Sequence, residues 1–217
     1  MGKSLLLKNN GSEFMTKVKI CGFTNAENAQ QAALAGVDAV GLVFYDKSPR
    51  HVSIDVAREI VAALPPFVNR VGLFVNANPS LVDEVLCEVA LDTLQFHGDE
   101  TVNECMQFDM PFIKSVRVSS ETDLKKISTD FSKASALLLD SYSSNTYGGT
   151  GKPFDWSLAC VEIDLPVILA GGLNPDNVAE AISQVKPYAV DASSGVESAK
   201  GVKDIDKIKS FISNIRS

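Results

Sequence analysis

Six stretches of this chain carry side chains that could do chemistry. In "VKICGFTN" (residues 18–25) the alternation of a strand puts Val18 and Ile20 on one face and Lys19 and Cys21 on the other. A core cysteine would share its face with apolar neighbours, whereas Cys21 shares it with a lysine. "ALLLD" closes an apolar run with the carboxyl of Asp140. A thiol and a carboxyl on opposite sides of a site suit an acid and a base acting on two faces of a small substrate, although a strand-end aspartate also caps turns. In "FYDKSPRHVS", Arg50 offers a planar fork that fits a carboxylate at two points, as a lysine does not. Read alone, it is better taken as a solvated loop charge. "VILAGGLNPDN" and "AVDASSGVES" place Gly171 and Gly172 beside one helix start and Ser193, Ser194 and Gly195 beyond Asp191. Small residues at such turns expose backbone N–H groups that can hold one phosphate between them, or simply allow two tight turns. In "TLQFHG" the alternation turns Gln95 and His97 to one side. The other histidine, His51, makes no ligand spacing with His97, so no metal site is expected.

These residues stand at the ends of eight β-rich runs. The runs are 17–22, 39–44, 70–75, 93–98, 112–118, 136–141, 166–172 and 189–195. Amphipathic stretches such as 25–35, 53–64 and 79–89 separate them, with proline at an expected first helical position in Asn78-Pro79 and Asn174-Pro175. Eight short βα units predict an α/β protein built as a single (β/α)8 TIM barrel, whose active site lies where strands end and helices begin. An open doubly wound sheet usually has fewer strands and carries a dinucleotide fingerprint after the first, which is not present after Cys21. With helices on the outside, Val18 and Ile20 should face them, turning Lys19, Cys21, Gln95 and His97 inward.

A formal net charge of −7 with no basic run argues against nucleic acid or an anionic membrane as the main partner. No apolar run approaches the roughly 18 residues that span a bilayer. The four cysteines, Cys21, Cys87, Cys105 and Cys160, with no secretory signal predict a reducing, cytoplasmic setting. Cys87, Cys105 and Cys160 read as buried structural thiols. "MGKSLLLKNNGSEF" precedes a second methionine and ends like translated cloning sites, so residues 1–14 read as a vector-derived tag and 15–217 as the catalytic barrel.

From Lys17 to Ile215 the chain resembles the phosphoribosylanthranilate isomerases of tryptophan biosynthesis. The resemblance rests on "KICG", "FYDKSPRHV", "VGLFVN", "QFHGDE", "LLLDSYSSNTYGGTGKPFDW", "VILAGGLNPDNV" and "VDASSGVES", in that order. Phe96 stands where leucine is more usual before the histidine. The resemblance implies an Amadori rearrangement without cofactor, converting the aminoaldose N-(5-phosphoribosyl)anthranilate to the aminoketose 1-(2-carboxyphenylamino)-1-deoxyribulose 5-phosphate. It implies Asp140 as general acid, Cys21 as general base, Arg50 on the anthranilate carboxylate and the glycine and serine loops on the phosphate, in a monomer or homodimer. The related histidine-pathway isomerase differs in using aspartates at both catalytic strand ends and in a twofold repeat of half-barrels, which this chain lacks. A phosphometabolite-binding barrel without catalysis is the alternative outside enzymes, and it would gain ground if either Cys21 or Asp140 were absent; both are present.

Overall fold

The computed structural model describes residues 15–141 and 155–216, so the expected tag and all of the "SYSSNTYGGTGKPF" stretch after Ser141 lie outside the described residues. Eight parallel strands follow one another around a closed barrel: β1 (Lys17–Cys21), β2 (Ala39–Val43), β3 (Asn69–Phe74), β4 (Thr93–Phe96), β5 (Phe112–Val118), β6 (Ala136–Ser141), β7 (Val167–Leu169) and β8 (Ala189–Ala192). β8 closes onto β1 with Lys19 opposite Asp191.

Helices α1 (Ala26–Leu34), α2 (Ile54–Ala63), α3 (Pro79–Glu88), α4 (Val102–Met106), α5 (Leu124–Asp130), α6 (Val178–Val185) and α7 (Ile205–Arg216) surround the strands. Their starts are written in the sequence. Asn25, Ser53 and Asn78 cap α1, α2 and α3 through their side chains, and Thr101 with Glu104 forms a capping box on α4. After β6 the described residues hold a 3-10 turn, Trp156–Ala159, where the eightfold pattern predicts an α-helix. A short hairpin, β9 (Glu197–Ala199) and β10 (Val202–Lys203), lies between β8 and α7.

Alternation divides the core into two layers. Val18, Ile20, Leu42, Leu137 and Leu139 join the large apolar cluster shared with helix residues such as Ala57, Ile60 and Phe211. Val71, Ile113, Ala136, Leu138 and Ile168 form a separate cluster that fills the barrel. Asp140 continues the inward series Ala136, Leu138, so its carboxyl is delivered to the barrel's mouth. Phe96 packs into the outer cluster against Phe108 and Phe112, a core role that leaves the site untouched.

Three expectations need correction. The runs at 166–172 and 189–195 pair only as Val167–Leu169 and Ala189–Ala192, because Gly171 and Gly172 take φ values of 81° and 75° and Ser194–Val196 coil into a 3-10 turn. Asn174-Pro175 does not open a helix; α6 begins at Val178. The intervening turn is satisfied by asparagine side chains, Asn174 Oδ1 accepting from the Asp176 amide at 2.8 Å and Asn177 Oδ1 from the Asn174 amide at 2.9 Å. Of the three cysteines read as structural, only Cys105 is buried. Cys87 lies on the face of α3 opposite the buried Val82 and Val85, and the exposed Cys160 follows the 3-10 turn, its thiol donating to the Gln184 carbonyl.

Candidate active site

The strand ends deliver Cys21 to the mouth in a tightly fitted place. Gly41 lies opposite it in the register, and a Cβ there would sit 2.8 Å from the sulfur, so glycine at 41 makes room for the thiol. One layer below, Lys19 Nζ donates to Asp191 Oδ2 at 2.9 Å, both side chains being buried. The pair follows from register, since the two residues are Cα partners on adjacent strands and face inward. Burial pushes the Cys21 thiol above its ordinary value, and the cations of Lys19 and Lys203 pull against that rise. For Lys19, burial opposes the charge, but Asp191 and the Cys21 thiolate outweigh it and hold the ammonium above the ordinary lysine value.

Across the ring, Asp140 is buried and anchored by the Ser141 amide, which donates to Oδ1 at 2.7 Å. Its Oδ2 lies 3.2 Å from His97 Nε2, and Gln95 Nε2 lies 2.9 Å from His97 Nδ1. This chain of contacts comes from the i, i+2 spacing of Gln95 and His97 on the inner face. With Gln95 donating, His97 carries its proton on Nε2 and donates to an ionised Asp140. Turned by 180°, the Gln95 amide accepts from Nδ1–H and leaves Nε2 free to accept from a protonated Asp140. The same heavy-atom geometry therefore accommodates either protonation state of the Asp140 carboxyl. Gln95 Oε1 and Asp191 Oδ1 are buried without a protein partner among the described residues.

The loops after β7 and β8 interlock. A Cβ at Gly195 would lie 2.0 Å from the Leu173 carbonyl oxygen, so only glycine allows this approach. Ser193 Oγ donates to the Cys21 carbonyl at 2.9 Å, which ties the β8 loop to the end of β1. Gly171, Gly172, Ser193, Ser194 and Gly195 thus share one side of the mouth, beside Cys21.

The family model of N-(5'-phosphoribosyl)anthranilate (PRA) isomerase matches residues 18–214. The chain belongs to this family. Its PRA isomerase relatives include proteins of Thiobacillus denitrificans, 53% identical over 93% of this chain and 98% of the relative, and Pseudomonas savastanoi, 54% identical over 91% and 96%. The solved PRA isomerase of Thermotoga maritima superposes with a TM-score of 0.85 at 44% identity, covering 93% of this chain and 99% of that one. A second structure of a PRA isomerase, 42% identical with a TM-score of 0.81 over 93% of this chain and 99% of that one, is a complex with reduced 1-(o-carboxyphenylamino)-1-deoxyribulose 5-phosphate.

Within this PRA isomerase fold, Arg50 is not a solvated loop charge. Its Nε and Nη2 donate to the two oxygens of Glu197 at 2.7 and 2.9 Å. Glu197 also accepts from Lys203 Nζ at 2.8 Å, and Lys203 in turn donates to the Ser193 carbonyl at 3.2 Å. Sequence reading missed both Glu197 and Lys203. A charged residue two positions after Gly195 was the available signal for Glu197, but no local pattern reports a pairing 147 positions away.

Proposed function

We propose that this chain is an N-(5'-phosphoribosyl)anthranilate isomerase working by general acid and base catalysis. The observation that carries the reading is the delivery of a thiol, Cys21, and a carboxyl, Asp140, to the ends of β1 and β6 in one barrel mouth, between an arginine fork and a small-residue loop pair. The substrate has two anionic handles, and the mouth offers a place for each. Asp140 protonates the ring oxygen, and the C1–O bond opens to a cationic imine between the sugar C1 and the anthranilate nitrogen. That imine is the electron sink. Cys21 takes the proton from C2, and the C–H electrons form the C1–C2 double bond while the imine electrons return to nitrogen. The resulting enolamine tautomerises to the ketone.

No covalent intermediate is needed, so the thiol acts as a proton acceptor. Lys19 and Lys203 favour its thiolate, while His97 and Gln95 hold the acid in place. The phosphate is held by backbone N–H groups around Gly171, Gly172 and Ser193–Gly195. The reaction consumes no electrons from outside the substrate, because C1 is reduced as C2 is oxidised. Monomer and homodimer both accord with this chemistry; one solved relative comprises monomers of a dimeric isomerase from Thermotoga maritima.

The test is addition of N-(5-phosphoribosyl)anthranilate to the folded protein, following the loss of anthranilate fluorescence. Saturable, protein-dependent loss is expected. No turnover by folded protein would overturn the reading and leave a binding barrel.

A further inference from the structure

Arg50 presents two hydrogen-bonding edges. Glu197 occupies the Nε–Nη2 edge with both carboxylate oxygens, which leaves the Nη1–Nη2 edge directed elsewhere. Both side chains are largely buried, at 12% and 6% exposure, so the fork is not free to rotate to a second partner. Glu197 is itself held from the other side by Lys203, whose side chain is fully enclosed. Lys207 Nζ donates to the Glu197 carbonyl at 2.7 Å, and Lys203 reaches Ser193 at both its carbonyl and Oγ. Gly22 also fits the arrangement: with φ 85°, it lies so close that a Cβ there would meet Arg50 Cδ at 2.5 Å.

We propose that Glu197 is a positioning residue: it grips one edge of Arg50 so that the opposite edge is aimed, already ordered, at the carboxylate of the substrate's anthranilate ring. This rests on the isomerase reading of the site. A single arginine beside a mouth pays rotamer entropy when it captures a carboxylate, and a fork held by a buried carboxylate does not. The arrangement also sets charge. One Glu197 carboxylate balances Arg50 and Lys203 together, leaving one positive charge to meet the substrate. Through Lys203 and Ser193 the same carboxylate is joined to the loop assigned to the phosphate, so the two anion subsites share one anchor.

The prediction is tested by a double-mutant cycle on Glu197→Gln and Arg50→Ala. The cycle is read twice: as KM for N-(5-phosphoribosyl)anthranilate, and as the Kd of anthranilate itself by equilibrium titration, which does not depend on turnover. Glu197→Gln keeps the size and one acceptor but loses the charge. It should raise both constants about tenfold and change kcat less, the pattern of lost uniform binding. In the Arg50→Ala background the same change should alter them less than twofold, because there is no fork left to position. Equal factors in both backgrounds would overturn the proposal and assign Glu197 a purely structural role. Should Glu197→Gln fail to fold, Glu197→Asp, which keeps the charge that Lys203 requires but reaches Arg50 poorly, should show the same dependence on Arg50, and its absence would be equally decisive. A protein that binds anthranilate yet turns over no substrate would strike the isomerase reading alone.

Discussion

A free thiol is about 3% ionised at pH 7, so a thiolate base in this site depends on its surroundings. Burial raises the Cys21 value above the ordinary one, and two cations oppose that rise. The spacing of Lys19 and Cys21 on one strand face made the first cation legible in the sequence. Lys203 was not legible, because it reaches the site from a hairpin beyond β8. The sign follows directly: a cation favours the thiolate, so its removal raises the thiol's titration point. Lys19→Met and Lys203→Met should each shift the pH dependence of Cys21 alkylation upward, and wild-type kcat/KM should climb with pH through the neutral range. Cys21→Ser should retain little activity, because a hydroxyl is a far weaker acid. A downward shift in either methionine variant would contradict the assignment of those cations.

At the scale of elements, the eight strands and their order were written in the sequence by β-rich runs alternating with capped helical patterns. Asn25, Ser53 and Asn78 behave as their local chemistry dictates. The failures cluster after β7 and β8, where the chain stops pairing to build a site. Paired glycines inside an apolar run look like strand ends from sequence alone, and only the positive φ of Gly171 and Gly172 separates three strand residues from the turn. Asn174-Pro175 misled for a related reason, since asparagine side chains close a turn there before α6 begins. Gly195 tests this interlocked pair of loops. Gly195→Ala forces a methyl group against the Leu173 carbonyl, and overpacking of that kind costs about 1–3 kcal/mol. The expected result is a lower Tm together with weakened competitive inhibition by inorganic phosphate. An unchanged inhibition constant would detach the loop pair from phosphate binding.

For the molecule as a whole, Glu197 and Asp92 are among the described carboxylates that link stability to pH. Burial works to raise the Glu197 carboxyl, but hydrogen bonds from Arg50 and Lys203 outweigh it and hold the group below its usual range. Arg70 does the same for Asp92, through its side chain and its backbone amide. Both groups bind protons more weakly folded than unfolded. Their stabilisation is therefore complete above the ordinary carboxylate range, about pH 4–4.5, and is lost as pH falls through the folded values. Thermal melts should show Tm dropping on that acid side, less steeply in Glu197→Gln than in wild type. The barrel brings residues from β1, β6 and the loops after β2, β7 and β8 into one mouth, and the central claim is that Cys21 and Asp140 are its base and acid. The most direct measurement is kcat by anthranilate fluorescence for Cys21→Ala and Asp140→Asn beside wild type, with folding checked by circular dichroism. Each group should contribute on the order of 10²–10⁴-fold, so both variants should be folded and lose at least about a hundredfold in kcat. A near wild-type kcat in either folded variant would contradict the account.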